Sequence, residues 1–494
     1  MFEIAELGRK IEKDEYKQIV PELRTELLAV QRALKDADFP VLILLNGVEG
    51  AGKGEALNLL YDWMDARYMK AHALGEPTDH QAEFPEYWRF WMSLPPRGQV
   101  GVYVGNWYTQ PIIRRVFGET TEAAFESQLE QINRFEQELV DDGTLILKFW
   151  FHLGKDAQKK RLKRLGKDPD TAWRVTKKDK TYFKRYDEFR STSERAIRKT
   201  STGDAQWILI EGTDWRYRNV TLGRRILQSI RNHIETRKQA KVQGVVAPPQ
   251  RDRMTILDQL DLGRSLTRKV YEKQLEHWQG TLATLARQAY EARVSTIFVF
   301  EGWDAAGKGG AIRRMIHPLD ARQFSVIPIS APTDEELAHH YLWRFWRQLP
   351  PRGGITIYDR SWYGRVLVER VEGYATHAEY RRSYKEIRDF EEQLVDHGIG
   401  LGKFWLHISQ DEQLRRFQER ETIPWKKHKI TAEDYRNREK NHQYEEAADE
   451  MVGRTSTEYA PWTLVEAENK LHGRIKVLET ACEVLEKALR KANG

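Results

Sequence analysis

The 494-residue chain contains a single cysteine, Cys482. One thiol excludes an intrachain disulfide and a cysteine-based zinc site, and it fits a reducing compartment. Cys482 lies in LETACEVLEKAL, an amphipathic helical pattern, so we interpret it as a small packing residue rather than a nucleophile. The sequence therefore predicts neither a disulfide-stabilised scaffold nor thiol chemistry.

Long apolar runs are also absent. The longest, around VLILL, has the length of a core strand and falls far short of the roughly 20 residues that a membrane span needs. The stretch MFEIAELGRKIEKDEY is charged throughout and lacks the apolar segment of a secretory signal. We therefore expect a cytoplasmic protein without a membrane partner.

Charge of one sign is only slightly in excess, because 80 basic residues face 74 acidic ones and leave a formal net charge of +6. That excess suggests an anionic partner but says little alone. No basic motif supports nucleic acid as that partner. No histidine pair has the context of a zinc site, since His339 and His340 are adjacent and would point to different faces of a helix. The GxSxG nucleophile elbow is missing too.

What the sequence does contain is a duplication. EGWDAAGKGG at residues 301–310 has a near copy, NGVEGAGKGE, at residues 46–55, related by a shift of 255 positions (Lys53 to Lys308). The same shift superposes WRFW at 88–91 on its copy at 343–346. It holds without insertion over on the order of 200 residues, far longer than a solenoid repeat. The chain is therefore interpreted as two copies of one whole domain.

Each copy alternates short apolar runs with helical patterns. In the second copy STIFVFEG leads into the glycine-rich loop, and FSVIPI, GITIYD, GKFWLHIS and PWTLVEA supply four more strand-like segments. This alternation favours βαβ units around a mostly parallel sheet. We predict two tandem three-layer α/β/α domains at residues 1–236 and 254–494. They are joined by a linker over 237–253 that contains Gly, paired Pro and several charges but no amphipathic period.

The repeated stretch fits a phosphate-binding loop. Gly302, four intervening residues, Gly307 and Lys308 follow a strand-like run and open a helical pattern. Such glycines let backbone N–H groups close around an anion, and the lysine neutralises phosphate charge. Gly309 stands where a Ser or Thr hydroxyl normally holds Mg²⁺, so another ligand would have to take over.

Two aspartates are available as that ligand. Asp304 lies inside the loop and Asp359 closes the run ITIYD. Because the carboxyl ends of parallel strands meet at one sheet edge, Asp359 is expected beside the loop. In the alternative interpretation, Asp304 makes only a turn hydrogen bond and Asp359 caps the next segment.

Basic residues are concentrated near these positions. Arginine binds phosphate oxygens bidentately, and four arginines lie in LPPRGGI and YDRSWYGRVLVERV: Arg352, Arg360, Arg365 and Arg370. A further basic group in ERETIPWKKHKITAEDYRNREK comprises Lys426, Lys427, Lys429, Arg436 and Arg438. It falls where P-loop kinases place a lid, although a solvated helical hairpin is the alternative.

Together, EGWDAAGKGG, LPPRGGITIYDRSWYGRVLVERV, FEEQLVDHGIGLGKFWLHIS and TSTEYAPWTLVEAENK resemble the polyphosphate kinase 2 family. The fused double domain resembles the AMP-phosphorylating class of that family, and the likeness covers nearly the whole of both halves. The resemblance implies a thymidylate-kinase-like P-loop fold with helical lids. It also implies inorganic polyphosphate as donor, AMP as acceptor with ADP as product, and Mg²⁺ as cofactor.

The resemblance also implies roles for individual residues. Asp304 and Asp359 would organise the metal, with Lys308 and Arg360 completing the catalytic group. Contacts with phosphate or nucleotide are expected from the loop glycines, the nearby arginines and the lid lysines: Gly302, Gly307, Gly309, Arg352, Arg365, Lys426, Lys427 and Lys429.

The first copy departs from this pattern. It keeps the loop residues Gly47, Gly52 and Lys53, with Glu49 opposite Asp304. Opposite Asp359, Arg360 and Arg365, however, it has Val104, Gly105 and Gln110. Losing a carboxylate and two guanidiniums would remove several kcal/mol of transition-state stabilisation. We therefore predict a catalytically inactive first domain that serves as a built-in partner, making a fused pseudo-dimer that could assemble further.

Other functions fit the same residues. One is an ATP-dependent nucleoside monophosphate kinase on the same fold, and another is a polyphosphate kinase that prefers ADP or GDP. A more distant alternative is a P-loop protein that binds nucleic acid through its basic stripe.

Overall fold

A computed structural model describes residues 1–240, 256–423 and 432–493, which form two compact units. Among these residues, the first unit contains 1–78, 89–240 and 334–340, and the second contains 79–88, 256–333, 341–423 and 432–493. Neither unit is therefore one continuous stretch of chain. The predicted domain limits at 236 and 254 stay a prediction.

The first half of the chain forms a five-stranded parallel sheet in the order β2-β3-β1-β4-β5. Its strands are β1 (Val41–Gly47), β2 (Met69–His72), β3 (Val100–Tyr103), β4 (Leu145–His152) and β5 (Trp207–Glu211). Its helices are α1 (Lys13–Lys35), α2 (Lys53–Trp63), α3 (Asp79–Ala82), α4 (Trp88–Trp91), α5 (Thr109–Val116), α6 (Glu122–Asp141), α7 (Lys155–Lys167), α8 (Lys177–Lys184), α9 (Tyr186–Thr200) and α10 (Trp215–Ala240).

The second half forms a sheet of the same design, in the order β10-β9-β6-β8-β7 with all pairs parallel. Its strands are β6 (Thr296–Gly302), β7 (Phe324–Pro328), β8 (Ile355–Asp359), β9 (Gly400–His407) and β10 (Trp462–Glu466). Its helices are α11 (Arg268–Glu291), α12 (Lys308–Ile316), α13 (Asp334–Leu337), α14 (Trp343–Trp346), α15 (Val368–Val371), α16 (His377–Asp396), α17 (Gln410–Thr422), α18 (Ala432–Glu439), α19 (Asn441–Thr455) and α20 (Lys470–Asn493).

These sheets confirm the predicted α/β fold, including all five strand-like runs of the second copy. Strand β6 is central in its sheet, and Ile297, Phe298, Val299 and Phe300 are all buried. A strand whose successive side chains are buried on both faces must be covered by helices on both sides. Central parallel strands end together at one edge, so the loop after β6 opens where β8 also ends.

A buried ion pair fixes the packing of β9 against α16. The Nζ of Lys403 lies 2.7 Å from an Oε of Glu391 and donates to the carbonyl of Thr455 at 2.8 Å. The Tyr363 hydroxyl donates to Glu391 at 2.6 Å. Burial lowers the pKa of Lys403, although Glu391 opposes that effect. The first unit repeats the arrangement with Lys148, Glu136, Tyr108 and Thr200.

Cys482 also lies where the sequence predicts. It belongs to the hydrophobic core of the second unit, where its thiol contacts the carbonyl of Trp278 at 3.8 Å. Burial raises its pKa to about 12, which suits a packing residue and not a nucleophile. Among the helices of the described residues, none is long and apolar enough to cross a membrane.

Removing the acid of the buried pair should destabilise the second unit. We expect Glu391→Ala to lower the free energy of unfolding by about 3–5 kcal/mol, because it leaves the Lys403 cation buried without a counter-charge. Denaturant unfolding followed by tryptophan fluorescence measures this. The control is Asp396→Ala, at an exposed position of the same helix, which should change stability by less than about 0.5 kcal/mol. Equal midpoints for the two variants would contradict the role given to the pair.

Candidate active site

The glycine-rich loop of the second unit turns sharply between β6 and α12. Gly302 and Gly307 adopt φ values of 136° and 114°, in the left-handed region that favours glycine. A side chain at Gly302 would meet the carbonyl oxygen of Leu406 at 2.3 Å. Lys308 folds back so that its Nζ donates to the carbonyl of Gly302 at 2.7 Å and of Trp303 at 3.2 Å. The loop therefore has the strand, turn and helix N-terminus that the sequence predicts.

Asp304 projects from this loop between a cation and an amide. One carboxylate oxygen accepts from Arg360 Nη2 and the other from Asn437 Nδ2, each at 3.3 Å. Burial alone would raise the pKa of Asp304, but the charges of Lys308 and Arg360 and the Asn437 hydrogen bond outweigh it, so its pKa is lowered. The side chain is thus held as a carboxylate at neutral pH. Within residues 1–240, 256–423 and 432–493, no backbone N–H donates to this carboxylate, in contrast to the alternative interpretation.

Arg360 has a backbone conformation unusual for its side chain. It follows the last residue of β8 at φ 67°, and its N–H donates to the carbonyl of Phe300 at 3.0 Å. Left-handed geometry in a non-glycine residue costs of order 1–3 kcal/mol and is concentrated at functional sites. At the corresponding position of the first unit, Gly105 takes φ 86° without that strain. In the second unit, the strained backbone of Arg360 places its guanidinium beside Asp304.

Asp359 closes β8 in register with Phe300 of β6, as the sequence predicts. Glu301, the residue after Phe300, is an acid that sequence reasoning missed. It is buried and accepts from the Ser361 hydroxyl at 2.8 Å. Burial raises its pKa, opposed by Ser361 and by the charge of Lys308. The unit thus places Asp304, Asp359 and Glu301 near one edge of the sheet, and the surrounding charges keep Asp304 ionised.

A cavity of about 660 Å³ opens around the loop. Among its lining residues are three acids, Asp304, Asp359 and Glu419, and the backbone of Gly307 and Gly309. Seven basic side chains also line it: Lys308, Arg313, Arg360, Arg416, Arg420, Lys470 and Arg474. This excess of positive charge indicates a polyanionic ligand. Six of the seven come from helices α12, α17 and α20, and all of these except Lys308 were not predicted.

Arg416 of α17 is the buried support of the loop. Its Nη1 donates to the carbonyls of Ala305 and Ala306, both at 2.9 Å. Its Nη2 donates to the carbonyls of Ala467 and Glu468 at 2.7 and 2.8 Å. One planar guanidinium therefore ties the loop to the segment between β10 and α20. Ala305 is itself left-handed, with φ 63°, so the loop geometry depends on such support.

Three predicted phosphate contacts, Gly302, Arg352 and Arg365, are not among the residues lining the cavity. Arg352 precedes β8, and its backbone N–H donates to Glu83 at 3.2 Å. Arg352 lies in the turn before β8, and the five residues of β8 span about 16 Å, so closeness in sequence to Asp359 does not bring Arg352 to the loop. Arg365 instead pairs with Glu369 at 3.1 Å and lies over the Tyr341 ring at 4.4 Å.

Two further arginines of the basic stretches also have partners elsewhere. Arg370 pairs with Glu450 at 2.8 Å and is not among the residues that line the cavity. Arg438 of α18 donates to the carbonyl of Gln410 at 2.6 Å. Lys426, Lys427 and Lys429 lie outside the described residues, so the lid interpretation of that stretch stays a prediction.

The acids of the cavity fit a particular kind of metal. Within residues 1–240, 256–423 and 432–493, no three His, Cys, Asp or Glu side chains come together as a complete metal cage. Mg²⁺ does not need one, because it is usually held by one or two carboxylates together with substrate phosphates and water. Asp304 and Asp359, both lining the cavity, match that pattern.

The loop of the first unit has different chemistry. Lys53 donates to the carbonyl of Gly47 at 2.7 Å but also pairs with Glu49 at 3.3 Å. The end of β3 offers Val104 and Gly105 in place of an aspartate and an arginine. The carboxylate of Asp359 and the guanidinium of Arg360 therefore have no equivalents here, although Glu49 corresponds to Asp304.

Comparison with known proteins places the chain in a family. The family model for polyphosphate kinase 2 matches residues 10–239 and again 265–493. A polyphosphate:AMP phosphotransferase of Pseudomonas aeruginosa is 49% identical over 494 residues, covering 99% of this chain and 100% of that protein. One from Acinetobacter johnsonii is 36% identical, covering 90% of each.

A crystal structure of a Pseudomonas aeruginosa protein assigned to polyphosphate kinase 2 is similar at a TM-score of 0.89 and 47% identity. It covers 99% of this chain and 100% of that one. The chain belongs to the polyphosphate kinase 2 family, with the family domain present twice. The family expected from the motifs is thereby confirmed.

Weakening the buried support of the loop should slow turnover. We expect Arg416→Lys to lower kcat/KM about 10–100-fold, because an ammonium cannot hold four carbonyls at once and the loop would shift. Steady-state phosphotransfer kinetics measure this, with circular dichroism as the check of folding. Arg161→Lys, 255 positions earlier, is the matched control, since Arg161 pairs with Glu55 at 2.7 Å instead. Equal losses in both variants would contradict a specific role for Arg416.

Proposed function

We propose that the chain transfers the terminal phosphate of inorganic polyphosphate to AMP, forming ADP, in the loop cavity of its second unit. The observation that carries this is the set of seven basic side chains around a phosphate-type loop that also presents an ionised carboxylate. The names of the Pseudomonas aeruginosa and Acinetobacter johnsonii relatives, which match 90% or more of this chain, support the same donor and acceptor.

Transfer of a phosphoryl group needs positioning and charge neutralisation more than covalent help. The backbone at Gly302, Gly307 and Gly309 would cradle a phosphate, while Lys308 and Arg360 neutralise its oxygens. The attacking group is the phosphate of AMP, whose second ionisation lies near pKa ~6, so most of it is dianionic at neutral pH. A general base is then dispensable.

This account gives Asp304 a role in metal binding and geometry. Its lowered pKa makes it a poor proton acceptor but a good ligand for a hard cation. We propose that Asp304 and Asp359 hold Mg²⁺, which would neutralise phosphate charge when bound. The side chains of Lys308 and Arg360 would orient the phosphates beside it.

The remaining assignments are also proposals. Arg365 would reach the nucleotide only if it left Glu369, and Lys426, Lys427 and Lys429 would hold the polyanion as a lid. We propose that the first unit is catalytically inactive, because its loop lysine is paired with Glu49 and no acid closes β3. A cytoplasmic location fits the single buried thiol.

The donor and acceptor can be tested in one assay. With polyphosphate and Mg²⁺, we expect ADP to form from AMP. Replacing polyphosphate by ATP should reduce ADP formation at least about 100-fold, because the cavity suits a long polyanion. Chromatography of the nucleotide products measures this, with ADP, GMP and GDP as comparison acceptors. Efficient ADP formation from ATP alone would favour a nucleoside monophosphate kinase. Reaction with ADP or GDP but not AMP would favour the other class of polyphosphate kinase.

A further inference from the structure

The first unit contains a second cavity whose chemistry differs from that of the active-site cavity. It has a volume of about 420 Å³, within the range of small-molecule sites. It opens at the carboxyl ends of β1, β3 and β4, next to Gly47, Val104 and His152. This is the same sheet edge at which the second unit holds its catalytic loop.

The wall of this cavity is mostly apolar. Aliphatic side chains come from β1, from the residue after β3 and from α5, among them Leu45, Val104, Ile112 and Ile113. Aromatic rings come from four further segments of the unit: Phe2, Trp150, Tyr182, Tyr186 and Phe189. Such a wall stabilises a flat apolar ligand by burial and by stacking.

The few charges of the wall are already compensated. Lys53 pairs with Glu49 at 3.3 Å, and Arg190 pairs with Glu3 at 2.5 Å. The corresponding cavity of the second unit has a large excess of cations. A phosphate in the first cavity would therefore lose its hydration without gaining a free cation, so an uncharged ligand is favoured.

Polar atoms in the wall have hydrogen-bonding capacity to spare. His152 is only 1% exposed, and its Nε2 lies 2.7 Å from Glu6 Oε1. Burial lowers its pKa despite Glu6, so the neutral ring donates from Nε2 and keeps Nδ1 as an acceptor. That Nδ1, Trp150 Nε1 and Gln158 Oε1 have no hydrogen-bond partner among the described residues. Buried polar atoms of this kind normally find partners.

We propose that the first-unit cavity binds an uncharged, planar heteroaromatic molecule of nucleoside size or smaller. Its rings would stack on the aromatic wall. The unsatisfied atoms of His152, Trp150 and Gln158 are buried behind that wall, so a hydrogen bond from the ligand would require the His152 or Gln158 side chain to turn toward the cavity. The site is independent of phosphoryl transfer in the second unit. The first unit would then bind a neutral ligand at the position where the second unit would bind phosphate.

The proposal can be tested on the full chain by saturation-transfer NMR with adenosine, guanosine and indole as probes. We expect at least one to bind, with a dissociation constant below about 1 mM. Ile113→Trp should raise that constant at least tenfold, because the larger ring fills the cavity. The matched control is Val368→Trp, 255 positions later in the second unit, which should leave the constant within twofold of the unmodified chain.

Two results would overturn the proposal. One is absence of binding by all three probes. The other is loss of binding in Val368→Trp but not in Ile113→Trp, which would place the probe in the second unit. Circular dichroism and thermal unfolding of the Ile113→Trp chain check that its first unit is folded. If that chain is misfolded, Val104→Phe narrows the same cavity with a smaller change and the same outcomes apply.

Discussion

The second unit depends on the charge balance around one carboxylate. Asp304 would be costly to bury alone, yet Lys308 and Arg360 hold it ionised. Asp304 in turn accepts a hydrogen bond from Arg360, and this interaction helps to stabilise the left-handed backbone of that arginine. Sheet topology brings these groups together, because β6 and β8 are neighbours that end at one edge. The position of the arginine and the proposed binding of phosphate and metal all depend on this shared sheet edge.

The two units share their core packing but differ at the sheet edge that holds the loop. Both retain the buried lysine–glutamate pair that joins the fourth strand to a long helix, at 2.6 Å in one unit and 2.7 Å in the other. Packing therefore constrains both copies equally. At the sheet edge, by contrast, Asp359 and Arg360 correspond to Val104 and Gly105. Val104 avoids the free-energy cost of burying a carboxylate, and Gly105 avoids the backbone strain of a left-handed arginine. We infer that the second unit retains both costs for the proposed catalysis.

The sequence predicted the fold and the loop because both are local. Strand-length apolar runs and the glycine spacing give β6, the loop and α12 directly, and Asp359 follows from parallel strand ends. It failed for groups that meet only through packing: Arg416 and Lys470 come from helices α17 and α20, whose cavity-facing sides cannot be read from their own residues. Arg352 shows the converse: it is close to Asp359 in sequence, but it precedes β8 whereas Asp359 ends that strand.

The most direct test of this account is the Mg²⁺ dependence of phosphotransfer in Asp304→Asn, with Glu49→Gln as the matched control in the first unit. If the ionised carboxylate organises the metal, Asp304→Asn should reduce turnover at least about 100-fold and raise the Mg²⁺ concentration for half-maximal rate. The control should behave as the unmodified chain does. Full turnover by Asp304→Asn at unchanged Mg²⁺ requirement would contradict the account.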